Sequence, residues 1–101
     1  MADYFGSRLK FLVEPSADGF VKTRDNFIVT ISCGEKKQEW EKDELIVDEH
    51  DNYYVPVDTE FFGTGVYIIT VKTFTPDEDF DDGFRIGIDQ MELCNILKPR
   101  S

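Results

Sequence analysis

The feature that most restricts the fold is Val66-Tyr67-Ile68-Ile69-Thr70-Val71-Lys72-Thr73-Phe74, a run built almost wholly from β-branched and aromatic residues. Such side chains lose rotamer freedom in a helix and pack well on a pleated surface. The run carries no helical apolar period, so it reads as a long central strand. Directly before it, Phe62-Gly63-Thr64-Gly65 sets a glycine on each side of Thr64. Glycine reaches positive φ without steric cost, so the chain is expected to turn a sharp corner into the strand.

The rest of the chain supplies partners for that strand. Leu9-Lys10-Phe11-Leu12-Val13 puts Leu9, Phe11 and Val13 on one face, and Glu14-Pro15-Ser16-Ala17-Asp18-Gly19 ends it with a proline and an Asp-Gly turn. Phe27, Val29, Ile31 and Cys33 alternate with less apolar neighbours, the pattern of a strand with one buried face. After Gly34, the polar run Lys36–Glu41 holds Trp40 as its one large apolar group, expected in the core although the surrounding charge also suits an edge. Two short strands, Glu44–Asp48 and Tyr53–Val57, flank a turn at Glu49-His50-Asp51-Asn52. Pro56 cannot donate to a ladder, so its strand is expected at an edge or with that position turned outward. The last strand, Phe84 to Ile96, has Ile86 and Ile88 in one phase and Met91 and Leu93 in the other, which predicts a bulge near Asp89-Gln90.

About seven strands with turn signals roughly every 8 to 12 residues, and no helix of ordinary length, predict an all-β sandwich. With 101 residues there is room for one domain, 1–101, with residues 1–7 and 97–101 expected as frayed ends. The 21 acidic against 11 basic residues give a net charge of −10. That charge repels phosphate backbones and anionic lipid, so nucleic acid as a direct ligand and a membrane are not expected partners. The first residues, Met1 to Arg8, lack a basic start followed by an apolar run, and no stretch approaches the ~20 apolar residues of a membrane helix. A soluble protein made in the cytoplasm is expected. Cys33 and Cys94 show no metal spacing and read as buried free thiols.

Gly65-x-Tyr67-x-Ile69, together with the Phe27–Cys33 strand and Trp40, resembles the immunoglobulin-like sandwich over most of the chain. In that family a tyrosine near the start of strand F bonds back to the E–F corner, and a tryptophan on strand C packs under F. The resemblance implies a Greek-key topology, a structural corner at Gly65 and Tyr67, and Trp40 on strand C; the antibody cysteine pair is missing, with Ile69 in one of its places. The Phe62–Tyr67 corner in a short chain is also similar to small immunoglobulin-like proteins of bacteriophage and prophage structural modules. That likeness implies an assembly or adhesion role in a virion, and no catalytic or ligand residue is carried over from it.

Chemistry-bearing clusters are few. Asp77, Asp79, Asp81 and Asp82 place hard oxygen ligands at close spacing on one loop, a candidate Ca²⁺ site. Counted from Asp77, loop positions six and twelve are Asp82 and Ile88, so the EF-hand pattern fails. His50, the one histidine, stands at a turn tip without a nucleophile and orienting group beside it in sequence, and the chain is not expected to be an enzyme. Tyr54, Phe61 and Phe80 are candidate aromatic anchors of an interaction surface. The expected function is a non-catalytic structural or protein-interaction module that docks other protein subunits or its own copies, with no cofactor. The alternatives are a carbohydrate-binding or adhesion module assisted by Ca²⁺, and an acidic mimic of nucleic acid.

Overall fold

The computed structural model describes the backbone of residues 3–4 and 8–97 and the side chains of residues 8–93. Within these, eight strands form: β1 (Asp3–Tyr4), β2 (Arg8–Val13), β3 (Asn26–Cys33), β4 (Lys36–Glu41), β5 (Ile46–Val47), β6 (Tyr53–Asp58), β7 (Gly65–Pro76) and β8 (Phe84–Leu97). A 3₁₀ turn at Lys42–Glu44 and one helical turn, α1 (Thr59–Phe62), complete the described elements. The ends expected to fray are in part strand, because Asp3 and Tyr4 pair in parallel with Ile96 and Leu97; the remainder of 1–7 and 98–101 lies outside the described residues.

The strands make two sheets, one of five in the order β1-β8-β7-β3-β4 and one of three in the order β2-β6-β5. Alternation explains how they stack. On β3, Phe27, Val29, Ile31 and Cys33 all point inward and are buried. Facing them, Tyr53, Val55 and Val57 of β6 are buried in the same phase, with Val13 at the end of β2. Burying a side chain of this size stabilises by about 1.5–3 kcal/mol, so the interior between the sheets is the main source of stability. Phe27 sits at its centre, edge-on to Tyr53 at 5.2 Å and to Phe20 at 6.1 Å.

Two expectations change, those for Trp40 and for the bulge, and Pro56 takes the outward alternative. Trp40 is buried, yet it lies on β4, the outermost strand, opposite Val29, and β3 separates it from β7. It therefore caps one edge of the core and does not pack under the long central strand. Pro56 sits on the middle strand of the smaller sheet, but β5 reaches only Tyr53 and Tyr54. Pro56 lies out of phase with the buried Val55 and Val57, so its side chain turns outward, and no β5 residue pairs with it. The bulge falls at Leu93, where Tyr67 pairs with Cys94 and Ile68 with Glu92, not near Asp89-Gln90. No slip is needed at Asp89, because β8 bears apolar residues on both of its faces.

The cause is a mismatch in size. β7 and β8 run for 12 and 14 residues, whereas β2 and β6 have six each. A three-stranded sheet cannot cover a five-stranded one of that length, and the molecule is drawn out to 56 × 31 × 20 Å. Much of the β7–β8 hairpin is left without a lid.

Candidate interaction site

The uncovered hairpin is where the surface departs from an ordinary solvated one. On the outer face of the five-stranded sheet, Phe84, Ile86 and Ile88 project from β8 and are 43, 46 and 66% exposed. Register sets Ile86 beside Phe74 and Ile88 beside Lys72, with Ile28 beyond Lys72 on β3. Phe74 meets Phe84 edge-on at 6.5 Å, and the Lys72 ammonium stands 5.5 Å from the Phe74 ring. The result is a contiguous apolar band with one cation, larger than the scattered apolar residues normal on a protein surface. On the inner face, Met91 is 63% exposed and helps line a groove of about 410 Å³ with Leu12, Val13, Pro15, Val71 and Leu93.

The backbone of β8 is as open as its faces. Among the described residues its outer edge is paired only at Ile96 and Leu97, so from Arg85 to Leu93 the N–H and C=O groups that point away from β7 have no strand partner. Such an edge is a template for another strand.

The corner at the start of β7 holds the hairpin on the sandwich. Asp58 caps α1 by accepting from the Glu60 N–H at 3.0 Å, and the Gly63 N–H donates to the Thr59 carbonyl at 2.8 Å. Gly63 and Gly65 have φ of 86° and 126°, conformations side chains resist. Between them the turn is drawn tight enough for the buried Tyr67 hydroxyl to donate to the Gly63 carbonyl at 2.5 Å. A Cβ on Gly65 would meet the Cys33 sulfur at 3.4 Å. Tyr67 and Gly65 thus pin β7 to the α1 corner, and the Tyr67 ring packs against Phe62 at 5.4 Å.

The other residues singled out from sequence do not converge. Asp77 accepts from the Asp79 N–H through one oxygen and faces Arg85 at 3.3 Å through the other, while Asp82 accepts from the Phe84 N–H. These carboxylates hold the hairpin turn, and Asp79 and Asp81 are exposed. Among the described residues no group of three His, Cys, Asp or Glu side chains is placed to hold a metal ion. Tyr54 lies on β6 and Phe61 in α1, while Phe80 stands at the β7–β8 turn, three separate elements. Phe80 is 49% exposed. Cys33 is buried and free, and burial pushes its thiol pKa up. β7 stands between it and β8, two strand spacings or about 9.5 Å, farther than a disulfide spans.

Two aspartates matter more than the sequence suggested. Asp25, in the turn before β3, is 5% exposed. Its carboxylate accepts from the Arg24 guanidinium and the Val21 N–H, which hold its pKa down at about 2 against burial. Asp48 accepts from the N–H groups of Asn52 and His50 and from the Asn52 and Tyr54 side chains, and it too is held down at about 2. Both order turns that frame the smaller sheet. His50 itself is largely exposed, 3.5 Å from Glu49.

Among the described residues no helix is long and apolar enough to cross a membrane. No family model, curated protein or solved structure matches the chain.

Proposed function

We propose that the chain is a non-catalytic, immunoglobulin-like interaction module that docks a protein partner through the outer face and free edge of the β7–β8 hairpin. The observation that carries this reading is the coincidence on one strand of an exposed apolar row, Phe84, Ile86 and Ile88, with a backbone edge that no strand pairs there among the described residues. A partner strand added there gains ladder hydrogen bonds from the edge and specificity from the alternate side chains.

Strand order supports the immunoglobulin-like part. The β2-β6-β5 sheet follows the B-E-D order of that fold, and β8-β7-β3-β4 follows G-F-C-C′. On this assignment β7 is strand F, and its Tyr67 bond to Gly63 takes the place of the tyrosine corner. A subunit of a larger assembly, the role implied by the likeness to phage and prophage modules, would use such a hairpin for docking.

The test is capture from extracts of expressing cells by the wild-type chain and by an Ile86→Lys, Ile88→Lys double variant whose melting curve shows it folded. A protein retained by the wild type and lost by the variant is the expected result. Equal retention by both, or binding to a glycan array in place of any protein, would overturn the proposal.

A further inference from the structure

We infer that the free edge of β8 pairs with the β8 edge of a second copy, antiparallel about a two-fold axis at Gly87, joining two five-stranded sheets into one of ten. The inference rests on the interaction reading above and names its partner.

It comes from the chemistry of Arg85-Ile86-Gly87-Ile88-Asp89 on an edge that no strand pairs among the described residues. A two-fold axis perpendicular to the sheet keeps outer face with outer face and sets each residue opposite one equally far from the axis. With the axis at Gly87, Ile86 of each copy lies opposite Ile88 of the other on the outer face, where both are exposed. On the inner face Arg85 lies opposite Asp89, twice. Gly87 meets its own counterpart.

Neighbouring registers lose this match. An axis at Ile86 sets Arg85 opposite Gly87, and an axis at Ile88 sets Asp89 opposite Gly87. An axis at Arg85 or at Asp89 sets like charges face to face, which destabilises a strand pair. Only the Gly87 register among these joins both charges to their opposites and aliphatic to aliphatic.

The groups are free to take part. Asp89 is exposed. Arg85 already donates to Asp77 and to the Asp18 carbonyl, but a guanidinium carries five donors and can donate to a second carboxylate. The net charge of −10 on each copy opposes approach at long range. At physiological salt the Debye length is about 8 Å, so repulsion between charges farther apart than that is largely screened. Pairing also closes the exposed edge against irregular association.

The test is the solution mass by light scattering over a roughly hundredfold range of concentration in physiological salt, where mass action exposes a dimer. The wild type is expected to approach twice the chain mass. Asp89→Arg places like charges opposite each other twice and is expected to weaken the dimer by about tenfold or more. Arg85→Asp weakens it likewise, and the Arg85→Asp, Asp89→Arg double variant restores it. Melting curves show that each variant is folded, and restoration by the double variant excludes a general loss of structure. A wild-type monomer throughout would overturn the self-pairing while leaving the capture experiment to judge the wider interaction reading. A dimer indifferent to all three variants would also overturn it, by placing the interface elsewhere.

Discussion

Tyr67→Phe removes a single oxygen from the corner and leaves everything else in place. The ring stays buried against Phe62, so no cavity opens and the packing contribution is unchanged. What is lost is the donor to the Gly63 carbonyl. A net intramolecular hydrogen bond is worth about 1 kcal/mol, and orphaning a buried acceptor costs up to about 3. Gly63 is half-buried, so water can reach its carbonyl once the hydroxyl is gone. The expected cost is therefore near the lower figure, about 1 kcal/mol, or a melting temperature lower by about 4–8 °C for a domain of this size. Urea unfolding of both proteins measures it, with the m-value expected to be unchanged. A loss indistinguishable from zero would mean that the hydroxyl is as well satisfied in the unfolded chain, and the corner would not hold β7. A changed m-value would show that the substitution alters more than one bond.

Two further outcomes are expected. The carboxylates of Asp25 and Asp48 are held at about 2, below the ordinary 3.8, so their contribution to stability is full above that ordinary value and is lost as pH falls toward 2. Protonating the many other carboxylates relieves repulsion over the same range, so urea midpoints of wild type and Asp48→Asn should be compared at each pH. The variant is expected to lose less stability between neutral pH and pH 2 than the wild type, and equal losses would contradict the assignment. Thr75 is buried, and its hydroxyl finds no partner among the described residues. Thr75→Val keeps the branched shape and removes the unpaired group, so it is expected to raise stability by about 1 kcal/mol in the same assay; a loss of similar size would reveal a partner for that hydroxyl.

Much of the sandwich was legible because period-two patterning is a local signal. Phe27, Val29, Ile31 and Cys33 announced a half-buried strand, and their neighbours across the interior, Tyr53, Val55 and Val57, did the same around a proline. The glycines around Thr64 announced the corner, since positive φ is a property of the residue itself. Trp40 was legible as buried but not as peripheral, because hydrophobicity reports burial and not strand order. The acidic loop suggested a cation site from composition, yet Asp77 and Asp82 accept from N–H groups of their own turn, Asp77 also faces Arg85, and Asp79 and Asp81 are exposed.

The pattern of β8 was harder to read for a related reason. Ile86 and Ile88 in one phase, with Met91 and Leu93 in the other, looked like a register slip under the assumption that one face must be buried. The signal was present, but its meaning depended on how far the smaller sheet reaches. Local sequence determined which segments are strands, where the chain turns and which side of β3 and β6 is apolar, because backbone preference and alternation act within a few residues. Only the tertiary structure decided that Phe84, Ile86, Ile88 and Met91 of β8 are exposed and that, among the described residues, its outer edge is unpaired short of Ile96, since that follows from the unequal lengths of strands far apart in the chain.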